Sequence, residues 1–332
     1  MLRQAACLRG AACRLRTISI SFSIDARSYN TKGASKYKSN YERQIVLYAS
    51  EVPVICGANP FREISDVFLG VWKRTDKKYV AALESDLAPS IPETIEEKVE
   101  RVVEEQPAVQ AVLDEVSETV ADVQAKKKVV RQQIEAMTTL SPAEKEDVTQ
   151  ALHSTLQTQF GMAQEVHAIG HYETQTQTTV EQRNIKFWSK QVGRVRCGDG
   201  GYRNVLVGGR IDGISGETVI EVKNRIRAFK DPLPPYDVMQ LQTYLYLLDS
   251  SQGEIVEHLK NKKDTSKTTA ITWDPAMWDE RVLPYLARFS YTLDRFMDSP
   301  PQIHELFLTH DTKKRKEMIR AYWMDSPNQL EG

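Results

Sequence analysis

No run of 18 consecutive apolar residues occurs in the sequence, so no segment can cross a bilayer as a helix and no membrane partner is expected. Cysteine is scarce: Cys7, Cys13, Cys56 and Cys197 are the only four in 332 residues, and no two form a CxxC pair. That spacing argues against a disulfide framework, a zinc ribbon and a cysteine-held iron-sulfur cluster, and it suits a reducing compartment. Acid is nearly missing from the start of the chain, where residues 1–40 hold eight bases (Arg3, Arg9, Arg14, Arg16, Arg27, Lys32, Lys36 and Lys38) and the single acid Asp25. What remains is ordinary globular material, 41% hydrophobic and 27% charged, enough for one large domain or two small ones and too apolar for wholesale disorder.

The formal net charge of -1 conceals a strong asymmetry. The Arg-, Ala- and Ser-rich opening fits an amphipathic mitochondrial transit peptide better than a secretory signal, which needs a long apolar stretch. A mitochondrial matrix location is therefore expected; a disordered basic tail, with a nuclear or cytosolic location, is the alternative. Residues 84–122 reverse the sign, with twelve acids against Lys98 and Arg101. From Pro89 to Lys128, Val and Leu recur at three- and four-residue steps on either side of Pro107, the pattern of two amphipathic helices. A further helical stretch covers Lys127 to Met137, and Ser141-Pro142-Ala143-Glu144 reads as a helix start. Residues 85–147 thus read as an inserted acidic helical arm, either a surface for an unknown protein partner or a solvated helical hairpin.

Chemistry concentrates between Val205 and Lys223. Two β-rich runs flank Ser215-Gly216, a hairpin signal. If Ile214 pairs with Glu217, Asp212 lies opposite Val219. Alternation along the strand then puts Val219, Glu221 and Lys223 on the face of Asp212, with Ile220 and Val222 turned into the core. Two carboxylates side by side call for a compensating divalent cation, and so small an oxygen set suits Mg²⁺, with Mn²⁺ as the substitute. Such an ion would polarise a phosphodiester and acidify a bound water, with Lys223 orienting that water or offsetting charge. Phe160 to Tyr172 is helical in period and carries Glu165 one turn after Gly161, a candidate third oxygen donor. Pro235 to Leu248 is a helix with Gln240 and Tyr244 on one face. Arg225, Arg227 and Lys230 follow the lysine strand and are candidate phosphate contacts. His167 and His171 sit four apart without an HExxH pattern, and read as packed or solvated.

Taken together these blocks resemble the PD-(D/E)XK nuclease superfamily, and within it the lambda exonuclease/YqaJ viral recombinase family. Ala49 to Arg62, followed by Val67 to Trp72, is similar to that family's N-terminal block with its "SE" start and "GxNPYR"-like turn. Gly161 to Glu165 resembles its GxxxE helix, Asp212 to Lys223 its D...ExK centre, and Met239 to Gln242 its QxQ helix. Ile211 stands where the superfamily has its proline. The resemblance implies an α/β fold with a restriction-endonuclease-like core, a mixed central β-sheet flanked by helices and the acidic arm inserted. It implies that Glu165, Asp212, Glu221 and the Val222 carbonyl bind Mg²⁺, that Lys223 is the catalytic lysine supported by Gln240, and that Ser50 and Arg62 lie near a DNA end or its 5' phosphate. It further implies exonuclease action on duplex ends, 5' to 3', with a homo-oligomeric, trimeric ring possible. Domain organisation would then be a leader over 1–40, a first nuclease segment over 41–84, the arm over 85–147, the catalytic core over 148–300 and a basic helix and tail over 301–332. Gln240-Leu-Gln-Thr-Tyr244 also fits RecB-like nucleases, which makes a single-strand or structure-specific nuclease one alternative. A non-catalytic DNA-binding scaffold is the other. After the core, Thr268 to Trp273 reads as a strand, residues 276–297 as a helix, and Lys313 to Lys316 as a basic helical face that touches DNA or is merely solvated.

Overall fold

The computed structural model describes residues 44–87, 93, 95–198, 200–225, 228–259, 265–309 and 311–332. The basic leader, Arg227 and the first cysteines, Cys7 and Cys13, lie outside them; Cys56 and Cys197 form no disulfide among the described residues. The chain opens with strand β1 (Gln44–Tyr48) and helices α1 (Val52–Ile55), α2 (Ile64–Thr75) and α3 (Lys77–Leu87). Helices α4 (Ile95–Glu105), α5 (Pro107–Asp114), α6 (Val120–Ala136) and the 35-residue α7 (Pro142–Thr176) come next. Strands β2 (Trp188–Arg196), β3 (Tyr202–Gly209), β4 (Gly213–Ser215) and β5 (Thr218–Arg225) precede α8 (Pro235–Leu248). Strands β6 (Gln252–Leu259) and β7 (Ser266–Thr272) follow, then α9 (Pro275–Met277), a π turn, α10 (Leu283–Met297), α11 (Pro300–Leu308) and α12 (Thr312–Trp323).

The fold is mixed α/β with mixed sheets flanked by helices, as expected, and among the described residues the strands are ordered in two sheets. Among the described residues the first sheet has the order β1-β3-β2, with β1 parallel and β2 antiparallel to β3. The second has the order β4-β5-β6-β7, with only the β5–β6 pair parallel. Helix α8 connects that parallel pair, which a tight turn cannot do. Its apolar side joins β1, β3, α2 and α10 in the main core, where Phe68 meets Phe289 and Phe296 edge-on, each at 5.3 Å.

Helix α7 serves two cores. Its first half packs Val148, Leu152 and Leu156 against Val102, Val109, Val130 and Ile134 of α4, α5 and α6. Burying each such side chain contributes about 1.5–3 kcal/mol, so the acidic region is a packed helical unit, more than a solvated hairpin. Its second half packs Ala168, Ile169 and Tyr172 against Ile220, Val222 and Val256 of β5 and β6. The helix begins with a capping box in which Ser141 and Glu144 satisfy each other's backbone N–H groups. Pro107 opens α5 at its first turn, where a proline loses no hydrogen bond.

At the C-terminal end α12 lies against its neighbours through its bases. Lys314 pairs with Glu305 at 3.2 Å, Arg315 with Asp66 at 3.6 Å, and Lys316 with Glu63. Three of the four residues of the Lys313–Lys316 run therefore have carboxylate partners within the chain.

Candidate active site

The site grows out of the β4–β5 hairpin. Its turn is Gly216-Glu217, with Gly216 at φ +61°, so Ser215 pairs with Thr218 and Ile214 with Val219. The ladder is shifted by two residues from the expected Ile214–Glu217 pairing. A shift of two preserves parity, because side chains alternate with period two, and it brings Asp212 level with Glu221 instead of Val219. The two strand faces separate as anticipated. Ile220 and Val222 enter the apolar cluster under α7, while Val219 belongs to the main core beside α8.

The acid and lysine of the second face are tightly bonded. Lys223 Nζ donates to Glu221 Oε1 at 2.6 Å and to Gln240 Oε1 at 2.9 Å, and stands 3.6 Å from Asp237 Oδ1. Gln240 in turn donates to the Tyr244 hydroxyl at 3.4 Å. Gln240 therefore orients the lysine, using the carbonyl end of its amide. The Val222 N–H donates to Asp212 Oδ2 at 2.7 Å, so the Val222 group seen to engage a carboxylate is its N–H rather than its carbonyl. Glu165 projects from α7 toward the hairpin and accepts from Asn184 Nδ2 at 2.5 Å. Gly161, one turn earlier, accepts through its carbonyl from Asn224 at 2.9 Å, which ties α7 to β5.

Electrostatics mark the cluster as short of positive charge. Burial, then the neighbouring Asp212, pushes the Glu221 carboxyl up to about 8 against the pull of Lys223. Burial, then Glu165, pushes Asp212 up to about 7. Glu165 is raised by burial and by Glu221. Burial alone would lower Lys223, but Glu221 and Asp237 outweigh it and hold the ammonium above its ordinary range. Glu221 is only 2% exposed, and its Oε2 has no hydrogen-bond partner. A buried carboxylate oxygen left over in this way is a strong acceptor in search of a cation. Among the described residues no three His, Cys, Asp or Glu side chains already converge closely enough to hold a metal ion, Lys223 and Asn184 each occupying one carboxylate oxygen. The donor set of Glu165, Asp212 and Glu221 is nonetheless all oxygen and anionic, which fits Mg²⁺ or Mn²⁺.

The outlying residues divide. Ser50 and Arg62 come together: both are exposed, and Arg62 Nη1 lies 3.5 Å from the Ser50 carbonyl. The adjacent Phe61 ring meets Tyr236 edge-on at 5.9 Å, one turn before Gln240 on α8. Arg225 is not a free phosphate contact. Its Nη2 donates to Asp237 Oδ2 and its Nε to Glu257 Oε1, both at 2.7 Å, and both acids are buried. Lys230 keeps an exposed side chain while its N–H donates to the same Glu257 oxygen at 3.0 Å. His171 hydrogen-bonds Ser266 at 2.6 Å while His167 is exposed, so they form no ligand pair.

Three residues of the site have no role in the sequence reading. Asp237 holds both Lys223 and Arg225 and sits three residues before Gln240 in the first turn of α8, a spacing that is legible once α8 is known to face the lysine. Glu51 is 5% exposed and accepts from the Tyr48 N–H and from Arg74, which clamps the turn bearing Ser50. Asn184 lies in the link between α7 and β2, where nothing in the local sequence singles it out.

No protein-family model matches the chain, and no curated protein matches it. Among solved structures it is similar to an alkaline exonuclease from Laribacter hongkongensis, at 19% identity over 59% of this chain and 93% of that one, with a TM-score of 0.32. The same exonuclease in complex with dAMP gives 18% identity, 59% and 92% coverage and a TM-score of 0.32. A phage-related exonuclease from Haemophilus somnus gives 14% identity, 58% and 94% coverage and a TM-score of 0.32.

Proposed function

We propose that the chain is a divalent-cation-dependent deoxyribonuclease that hydrolyses phosphodiesters at DNA ends. The observation that carries this reading is the bonded set of Asp212, Glu221, Lys223 and Gln240, with Glu165 brought in from α7 and one buried Glu221 oxygen unpartnered. Glu165, Asp212 and Glu221 would hold Mg²⁺. When bound, that ion supplies charge to the phosphoryl oxygens and acidifies a water.

The protein's own part is positional. Glu221 Oε1 and Asp237 keep Lys223 charged, and Gln240 fixes where its ammonium points. Lys223 thus offers a preorganised N–H donor to the phosphate oxygen on which charge develops, in a site that needs no reorganisation at the moment of attack. Ser50 and Arg62 offer a hydroxyl and a guanidinium to a terminal phosphate, the guanidinium in a fork that matches its oxygens. Attack from 5' ends rests on the resemblance to the lambda exonuclease family, and mitochondrial DNA maintenance on the composition of residues 1–40.

Digestion of linear duplex DNA, 5'-phosphorylated and labelled at either end, tests the reading with the full chain in Mg²⁺ and in EDTA. Expected is Mg²⁺-dependent loss of the 5' label first, with at least a hundredfold loss of rate in Glu221→Ala and Lys223→Ala, the scale of removing one transition-state donor. Equal rates in EDTA, or in either variant, would refute it. Preferential digestion of a single-stranded control would move the substrate to single strands, and retained DNA binding without cleavage would make the chain a scaffold.

A further inference from the structure

Asn184 takes an unusual conformation for a side chain that contacts a catalytic acid. Its φ is +51°, in the left-handed region that non-glycine residues seldom adopt. The link carrying it, residues 177–187, is fastened to the hairpin at several points. Glu181 and Ile214 exchange backbone hydrogen bonds of 2.8 and 2.9 Å, and the Asn184 N–H donates to the Ile211 carbonyl at 3.0 Å, one residue before Asp212. Arg183 Nε donates to the Val180 carbonyl at 2.9 Å, and its Nη2 pairs with Glu173 of α7. With the backbone held in this way, the side-chain amide donates to Glu165 Oε1 at 2.5 Å. The same amide counteracts the rise of the Asp212 carboxyl, so its field reaches both acids.

We infer that Asn184 is a positioning residue of the divalent-cation site: its backbone is pinned to the Asp212 strand and its amide draws the Glu165 carboxylate of α7 to that strand. The inference rests on the metallonuclease reading and deepens it. Glu165 and Asp212 come from different elements and repel each other, and α7 alone leaves Glu165 on a half-exposed helix face. A neutral donor is suited to hold them together, because an ammonium or guanidinium there would neutralise the charge that recruits the cation. Partners that orient ligands from behind typically change metal affinity by 10–100-fold when removed.

The test is Mn²⁺ binding by the full chain, read from the electron paramagnetic resonance signal of free Mn²⁺ without any DNA present. Asn184→Gly permits the left-handed backbone and deletes the amide, and the backbone freedom it adds is what the control measures. Asn184→Ser, too short to reach Glu165, gives a second deletion. Gln182→Gly is the control, since Gln182 is another left-handed residue of the same link, at φ +57°. Expected is a 10–100-fold rise in the Mn²⁺ dissociation constant for both Asn184 variants, with Gln182→Gly within twofold of wild type. Wild-type affinity in the Asn184 variants, or an equal loss in Gln182→Gly, would overturn the inference while leaving the site intact. Absence of Mn²⁺ binding by the wild type would overturn the metallonuclease reading itself.

Discussion

At the scale of single residues the site is a set of charges held away from their preferred states. Glu221 and Asp212 protonate at about 8 and about 7 in the folded, metal-free protein, against about 4 in an unfolded chain. Between pH 4 and 8 the folded state therefore binds more protons than the unfolded one, and stability falls as pH rises through that window. In EDTA, thermal unfolding is expected to show a lower Tm at pH 8 than at pH 5, a drop that is smaller when Mn²⁺ replaces the EDTA and flattened in Glu221→Gln. A Tm that rises from pH 5 to 8 in EDTA would contradict the charge balance described here. The same scale explains two failures of the sequence reading. Arg225 follows the lysine strand and looks available, but Asp237 and Glu257, which engage it, lie 12 and 32 residues away. Asn184 stands among polar residues, and its role exists only where the link meets the hairpin.

At the scale of elements the hairpin was the legible part. Alternation along β5 told which side chains share a face, and glycine at the turn told that the chain reverses. Which two residues of Gly213-Ile-Ser-Gly-Glu217 occupy the turn was not encoded in alternation, hence the two-residue shift. Strands β1, β2 and β6 were not read from their residues at all. The spacing of Gln240 and Tyr244 put both on one face of α8, and the family resemblance implied that Gln240 supports Lys223, to which it is bonded at 2.9 Å. Gly213 has a role beyond the turn: a Cβ there would meet Val180 Cγ1 at 2.1 Å, so the α7–β2 link rests directly on the hairpin backbone. Gly213→Ala is expected to cost about 1–3 kcal/mol, as overpacking does, and to lower Tm by several degrees in a calorimetric scan. It should also weaken Mn²⁺ binding, because Asn184 is delivered by the segment that would be displaced. A variant as stable as wild type would show that Val180 can move aside.

At the scale of the whole molecule the acidic arm and the second sheet share α7. A boundary near residue 147, natural in the sequence because the acidic run ends before it, falls inside that helix in the structure. Helices do not stop where composition changes; α7 stops at Gln177, which adopts the left-handed conformation that ends a helix. Replacing residues 95–136 with a short polar linker would strip Val148, Leu152 and Leu156 of their partners and leave an apolar stripe on α7. Size-exclusion chromatography is expected to show aggregation of that deletion, relieved when the three residues are changed to Glu, Gln and Lys. A monodisperse deletion without those changes would mean that the stripe finds other cover.

Considered mechanically, α7 is a cantilever about 50 Å long at 1.5 Å per residue. Ala168, Ile169 and Tyr172 clamp it to the second sheet, and the arm runs alongside it from Val148 to Gln164, whose side-chain amide donates to the Glu118 carbonyl at 3.2 Å. Glu165 lies within one turn of the clamp, whereas Val148 is about 30 Å from it. Displacement along a cantilever is greatest at the free end and smallest beside the clamp. A tilt of the arm therefore moves the far end of α7 most, and among the described residues its route to Glu165 is the Glu118–Gln164 bond beside it.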